Sequence, residues 1–241
     1  MARKPVKTIQ PMQSERNNRL DAFVDAAFAF AVTLLVISAD QVPDSIESLG
    51  VALKALPSFA ASFAMVALFW YSHVRWSRRY RLETVPATLL SLLLVFLVLV
   101  YVYPLRLLFG IFFSWASNGW LPMPLREFNP LQDVVSMYII YGIAFMSMSA
   151  CMVGLYAHAW RRRRALALDA ALAADALADA ASYLGFVVIG FLSALVAWLL
   201  PAQPSSWHLA IPGFLYFLLV FTGLLDAAAR RSAMRRLRAK S

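Results

Sequence analysis

Apolar residues gather into six long runs along the chain, at about 19–40, 51–76, 84–109, 131–159, 182–200 and 207–229. Each is near or above the roughly 18–20 residues that a helix needs to cross about 30 Å of hydrocarbon. The breaks between them are short. D-Q-V-P-D-S-I-E-S-L-G follows the first run and S-R-R-Y-R-L-E the second. A stretch at about 110–130 with Trp115, Trp120 and three prolines follows the third and reads as an interfacial loop. R-R-R-R at 161–164 follows the fourth and leads into an alanine-rich segment, and P-A-Q-P ends the fifth. Alanine and leucine favour helix, so that segment either extends the fourth helix or starts the fifth. The pattern predicts an all-α, polytopic membrane protein with six transmembrane helices.

Composition agrees, with 61% hydrophobic and 15% charged residues. One cysteine, Cys151, supplies neither a disulfide framework nor a thiolate metal site. The polar N-terminus predicts no cleavable signal peptide. The net charge of +9 is first a matter of distribution. The segments up to Arg19, after the second run, after the fourth run and at the C-terminus hold five, four, four and six Lys or Arg, which is 19 of the 22. Lys54, Arg106 and Arg126 fall toward the other side. This asymmetry predicts both termini in the cytoplasm. It predicts contact with anionic lipid headgroups there and no nucleic-acid partner. The expected organisation is a basic cytoplasmic tail at 1–18, a membrane domain at 19–229 and a second basic tail at 230–241. No repeat relates the first three runs to the last three, so an inverted-repeat transporter is not supported.

The first run, R-L-D-A-F-V-D-A-A-F-A-F-A-V-T-L-L-V-I-S-A-D, carries charge in unusual places. At about 100° per residue, Arg19, Phe23, Ala26, Phe30, Thr33 and Ile37 form one stripe. Asp21, Asp25, Phe28 and Val32 lie nearly opposite. The stripe fits either a packing seam between helices or a pore wall in which apolar rings from several copies gate by dewetting. Asp25 inside an apolar run needs a partner in protein or water. Trp70 and His73, at the matching depth of a helix running the other way, are candidate donors inside the bundle. A structural network there is the plainer reading, and a proton relay or an ion site the sharper one.

Other charged residues have simpler roles. Arg106 either snorkels to the outer interface or lines an outer vestibule. His158 and His208 mark helix ends. Asp175 and Asp179 read as charge balance for the four arginines in a solvated segment. No metal-ligand spacing, catalytic constellation, nucleotide fingerprint or T-V-G-Y-G filter string occurs, so neither an enzyme nor a cofactor is expected.

Residues 19–35 resemble the opening signature R-x-x-x-F-S-D of the transmembrane protein 175 potassium channels, through Arg19, Phe23 and Asp25 and an A-x-T-L-L ending at Ala31, Thr33, Leu34 and Leu35. F-W-Y-S-H resembles that family's Trp-x-x-His element at Trp70 and His73. The resemblance implies a homotetrameric K⁺-permeable leak channel of a prokaryotic plasma membrane. Its first helices would line the pore, without a P-loop, and K⁺ would be the permeant ion. It implies a pore and gate set of Phe23, Ala26, Phe30, Thr33, Leu34 and Ile37, with Phe30 at the constriction and Thr33 as a hydroxyl ring. Arg19, Asp25, Trp70 and His73 would be structural, with Arg19 at the cytoplasmic mouth. Two departures stand out: Val24 replaces the signature serine, and Phe30 replaces an Ile or Leu. The rival expectations are a proton-coupled small-solute transporter using Asp25 and His73, and a non-conducting membrane scaffold.

Overall fold

The computed structural model describes residues 11–37, 44–125, 129–201 and 205–238. All of their regular structure is helical. The helices are α1 (Pro11–Ile37), α2 (Ile46–Lys54), α3 (Leu56–Tyr80), α4 (Val85–Ala116), α5 (Pro130–Arg162), α6 (Ala170–Trp198), α7 (Ser206–Phe214) and α8 (Thr222–Arg238), with a 3₁₀ segment, Leu215–Phe221, between the last two. Five helices are long and apolar enough to cross a membrane, or six if the bent pair α2–α3 counts as one span. The protein is a multi-pass membrane protein. Residues 1–10, the linker 38–43 and Arg126 lie outside the described residues. Regular helix begins at Pro11, before the expected start of the first span.

Two runs that read as continuous are broken. The second bends by 47° between α2 and α3. Pro57, in the first turn of α3, has no N–H to give to the preceding turn, and its ring crowds the carbonyl four residues back. The sixth run is interrupted after Pro212, inside α7, where the chain tightens into the 3₁₀ segment. The buried Ser193 hydroxyl of α6 donates to the Pro212 carbonyl at 3.0 Å, which fixes the irregular backbone against its neighbour. The alanine-rich segment begins α6, with Asp169 as its cap accepting from the Leu172 N–H at 2.7 Å.

Contacts across the loops place the helix ends. Ser77 meets Asp21, Thr84 meets His158, and Arg79 and Arg230 both meet Asp175. The start of α1, the end of α3, the end of α5, the start of α6 and α8 therefore share one end of the bundle, where the described arginines other than Arg106 gather. At the other end Lys54 lies over the Trp120 ring, 5.5 Å from its centre.

α1 lies against α3 and α4, and α5 and α6 run side by side. Without a hydrophobic driving force between helices in lipid, close approach depends on small residues. Gly142 of α5 and Gly190 of α6 supply it: a Cβ on Gly142 would stand 2.7 Å from the Gly190 carbonyl oxygen and 2.9 Å from the Ala194 Cβ. Gly142→Ala should therefore destabilise the purified protein by about 1–3 kcal/mol as the helices are forced apart. Gly223→Ala, where nothing lies within 4 Å, should be neutral or slightly stabilising. Thermal unfolding of both variants in one detergent checks this.

Candidate functional site

α1 has two faces. Val24, Phe28, Ala31 and Leu35 are fully or almost fully buried and form the side that packs on α3 and α4. Phe23 and Phe30, each 54% exposed, and Ile37, 65% exposed, lie on the other side with the exposed Ala26 and Thr33. The described helices therefore leave this stripe largely uncovered. Leu34 is half-buried and turns partly toward its neighbours, off the stripe. Thr33 Oγ1 donates to the Ala29 carbonyl at 3.1 Å. That bond uses the hydroxyl proton and leaves the oxygen an acceptor on the open face.

The carboxylates of α1 are tied to α3. Trp70 Nε1 donates to Asp25 Oδ1 at 2.8 Å, and the buried Ser77 hydroxyl donates to Asp21 Oδ1 at 2.7 Å. The pair Asp25–Trp70 is not inside the bundle. Asp25 is exposed and Trp70 is 39% exposed, because the pair sits at the rim of the α1–α3 contact. His73 does not join it. It is 1% exposed and its Nε2 is 2.9 Å from the Ser91 hydroxyl of α4. Asp25 and His73 thus have different hydrogen-bond partners on different helices. Arg19 is exposed at the start of the described side chains, and Arg106 is half-buried on α4 just past Pro104.

Sequence reasoning missed a polar cluster at the arginine-rich end. Asp175 and Asp179 do not form a solvated charge balance for Arg161–Arg164. Their side chains are each 12% exposed. Asp179 pairs with Arg75, and Asp175 pairs with Arg79 at 2.9 Å and with Arg230 of α8. Arg75 Nε also donates to the Tyr156 hydroxyl at 3.4 Å, while Tyr183 donates to Ser72. A signal for this existed: Arg75 and Arg79 are four apart on α3, and so are Asp175 and Asp179 on α6. Equal spacing lets two antiparallel helices pair both charges at once.

Residues 19–104 match the family described as endosomal/lysosomal potassium channel TMEM175. The resemblance carried by Arg19, Phe23, Asp25, Trp70 and His73 is borne out. A protein named potassium channel from Marivirga tractuosa is 28% identical over 213 residues, which covers 86% of this chain and 85% of that one. A crystal structure of a variant of the potassium channel MtTMEM175, in complex with a nanobody–MBP fusion, superposes with a TM-score of 0.75 at 25% identity. The likeness covers 92% of this chain and 94% of that one. The helical fold is therefore that of a TMEM175 channel, and the family and the relatives are named as channels rather than enzymes.

The two polar links of α3 should differ in their effect. Ser91→Ala leaves the His73 ring nitrogen buried without its partner and should cost about 1–3 kcal/mol. Trp70→Phe removes a donor from an exposed carboxylate and should cost about 1 kcal/mol or less in the isolated subunit. Thermal unfolding of the purified variants separates them.

Proposed function

We propose that the protein is a homotetrameric, potassium-permeable cation channel in which four copies of α1 surround the pore. The observation that carries this reading is the uncovered stripe on α1. Its residues are spaced for rings around an axis, and the opposite face of the same helix is fully packed. A lone helix cannot enclose a path, so the reading requires several copies. The potassium-channel names of the family and of the Marivirga protein support the ion.

In this reading Phe30 forms the constriction, where a ring of apolar side chains repels water and so raises the barrier to ions. Thr33 lies about 4.5 Å further along the helix axis and presents its oxygen as an acceptor for a partly dehydrated cation. Ala26 and Phe23 line the approach from one side and Ile37 from the other. Leu34, turned off the axis, supports the wall from behind. Asp25 and Trp70 hold α1 on α3, and His73 with Ser91 holds α3 on α4. Arg19 stands at the mouth. The arginine-rich end faces the cytoplasm and its anionic headgroups, both termini lie on that side, and the membrane is the plasma membrane of a prokaryote.

The test is K⁺ and Na⁺ flux into liposomes holding the purified protein. Phe30→Ala should raise flux several-fold over the unsubstituted chain, because a ring of small side chains wets more readily. Unchanged flux through a confirmed tetramer would remove Phe30 from the gate.

A further inference from the structure

We propose that Asp179, with Asp175 one turn before it, positions the helix α1 from a distance by holding α3. The inference rests on the reading of α1 as the pore wall.

Among the described residues α1 packs only on α3 and α4. Anything that α5, α6 or α8 does to α1 must pass through those two helices. α3 and α6 do not pack backbone to backbone. The gap is bridged by side chains: Arg75 reaches Asp179, and Arg79 reaches Asp175 at 2.9 Å and comes within 3.9 Å of Asp179. Arg230 brings α8 into the same cluster through Asp175. Two neutral bonds cross the same gap, Tyr183 to Ser72 and the Tyr80 hydroxyl to the Leu172 carbonyl at 3.5 Å, so α3 is held to α6 by polar side chains, with the two ion pairs as its charged part. Asp179 binds Arg75 through Oδ1, while its buried Oδ2 makes no hydrogen bond and has the Arg79 guanidinium 3.9 Å away.

The other side of α3 carries the connection on. Ser77 lies between Arg75 and Arg79 in sequence and binds Asp21 at 2.7 Å; Trp70 binds Asp25 at 2.8 Å. The two bonds grip α1 one turn apart. Phe23, the first apolar residue of the exposed stripe, lies between them, and Phe30 is five residues past the second, about 7.5 Å along the axis. A change in the set of α3 shifts the four Phe30 rings together, since each copy carries the same linkage. Asp179 touches no part of the stripe, so its effect is one of position.

The experiment uses the full chain in liposomes, with flux expressed per assembled tetramer. The variants are Asp179→Asn, the exchange Arg75→Asp with Asp179→Arg, and Phe30→Ala. A purely structural role for Asp179 lowers yield and leaves both flux per tetramer and the K⁺/Na⁺ ratio unchanged. A positioning role gives a several-fold change in flux or in the ratio, recovered toward the original by the charge exchange. If Asp179→Asn does not assemble, Asp175→Asn decides by the same readings, since its ion pairs are the more exposed. Altered flux in Phe30→Ala with unaltered flux in the aspartate variants overturns the positioning role and leaves the pore reading standing. No change in any of the three overturns the pore reading and this inference with it.

Discussion

A carboxylate or a guanidinium placed in an apolar helix must meet a partner inside the protein, because lipid offers none. In this chain nearly all such demands are met by α3. Trp70 and Ser77 face α1, His73 faces α4, Ser72 and Arg75 meet Tyr183 and Tyr156, and Arg75 and Arg79 reach the carboxylates of α6. α3 is therefore a polar spine around which apolar helices are arranged. The residues that make it so recur at short intervals around the helix, so each neighbour finds a different donor. Apolar packing then fills the space between. Rings of Phe69, Phe145, Tyr141, Tyr216, Phe186 and Tyr183 join α3, α5, α6 and the 3₁₀ segment at centroid separations of 5.1–6.0 Å.

What this spine does to α1 explains the two faces of that helix. Asp21 and Asp25 commit one flank to α3, and Val24, Phe28, Ala31 and Leu35 commit the adjoining flank to the core. The heptad stripe is left over. An exposed apolar stripe can meet lipid or other copies of the same helix, and Thr33, its proton given to the Ala29 carbonyl, has an oxygen left to accept. In the proposed tetramer that oxygen would face the other copies of α1.

Much of the fold and half of the candidate site could be read from the sequence, and the division has a physical reason. Long apolar runs are a local signal, so the spans were legible. The faces of α1 follow from helical period, and Trp70 follows from depth matching across an antiparallel pair. The break at Pro57 was legible only as a proline inside a run, because whether it bends a span depends on what packs beside it. The partner of His73 and the pairing of Asp175 and Asp179 with Arg79 and Arg75 were not read. These contacts join residues 18, 96 and 104 positions apart, and nothing in the local pattern distinguishes such an aspartate from one that faces water. Only the equal spacing of the two charge pairs carried the information.

The two departures from the family signature fall on opposite faces of α1, and their consequences differ accordingly. Val24 is wholly buried between α1 and its own neighbours. An apolar side chain there leaves no hydroxyl to satisfy, while the polar ties of this flank are carried one residue away by Asp25 and three residues back by Asp21. The helix can therefore lose the serine and keep its seat. Phe30 faces outward and, among the described residues, is more than half exposed. In the proposed tetramer four such rings share the axis, and a flat, rotatable aromatic occupies more or less of the opening according to its torsion angles. A constriction made of Phe30 is then set by rotamer and by the placing of α1. In that reading the Thr33 oxygens, about one turn on, are the polar groups that a passing cation would meet. Closure and polar contact would thus belong to different residues of one helix, held in place by carboxylates that the ions never meet.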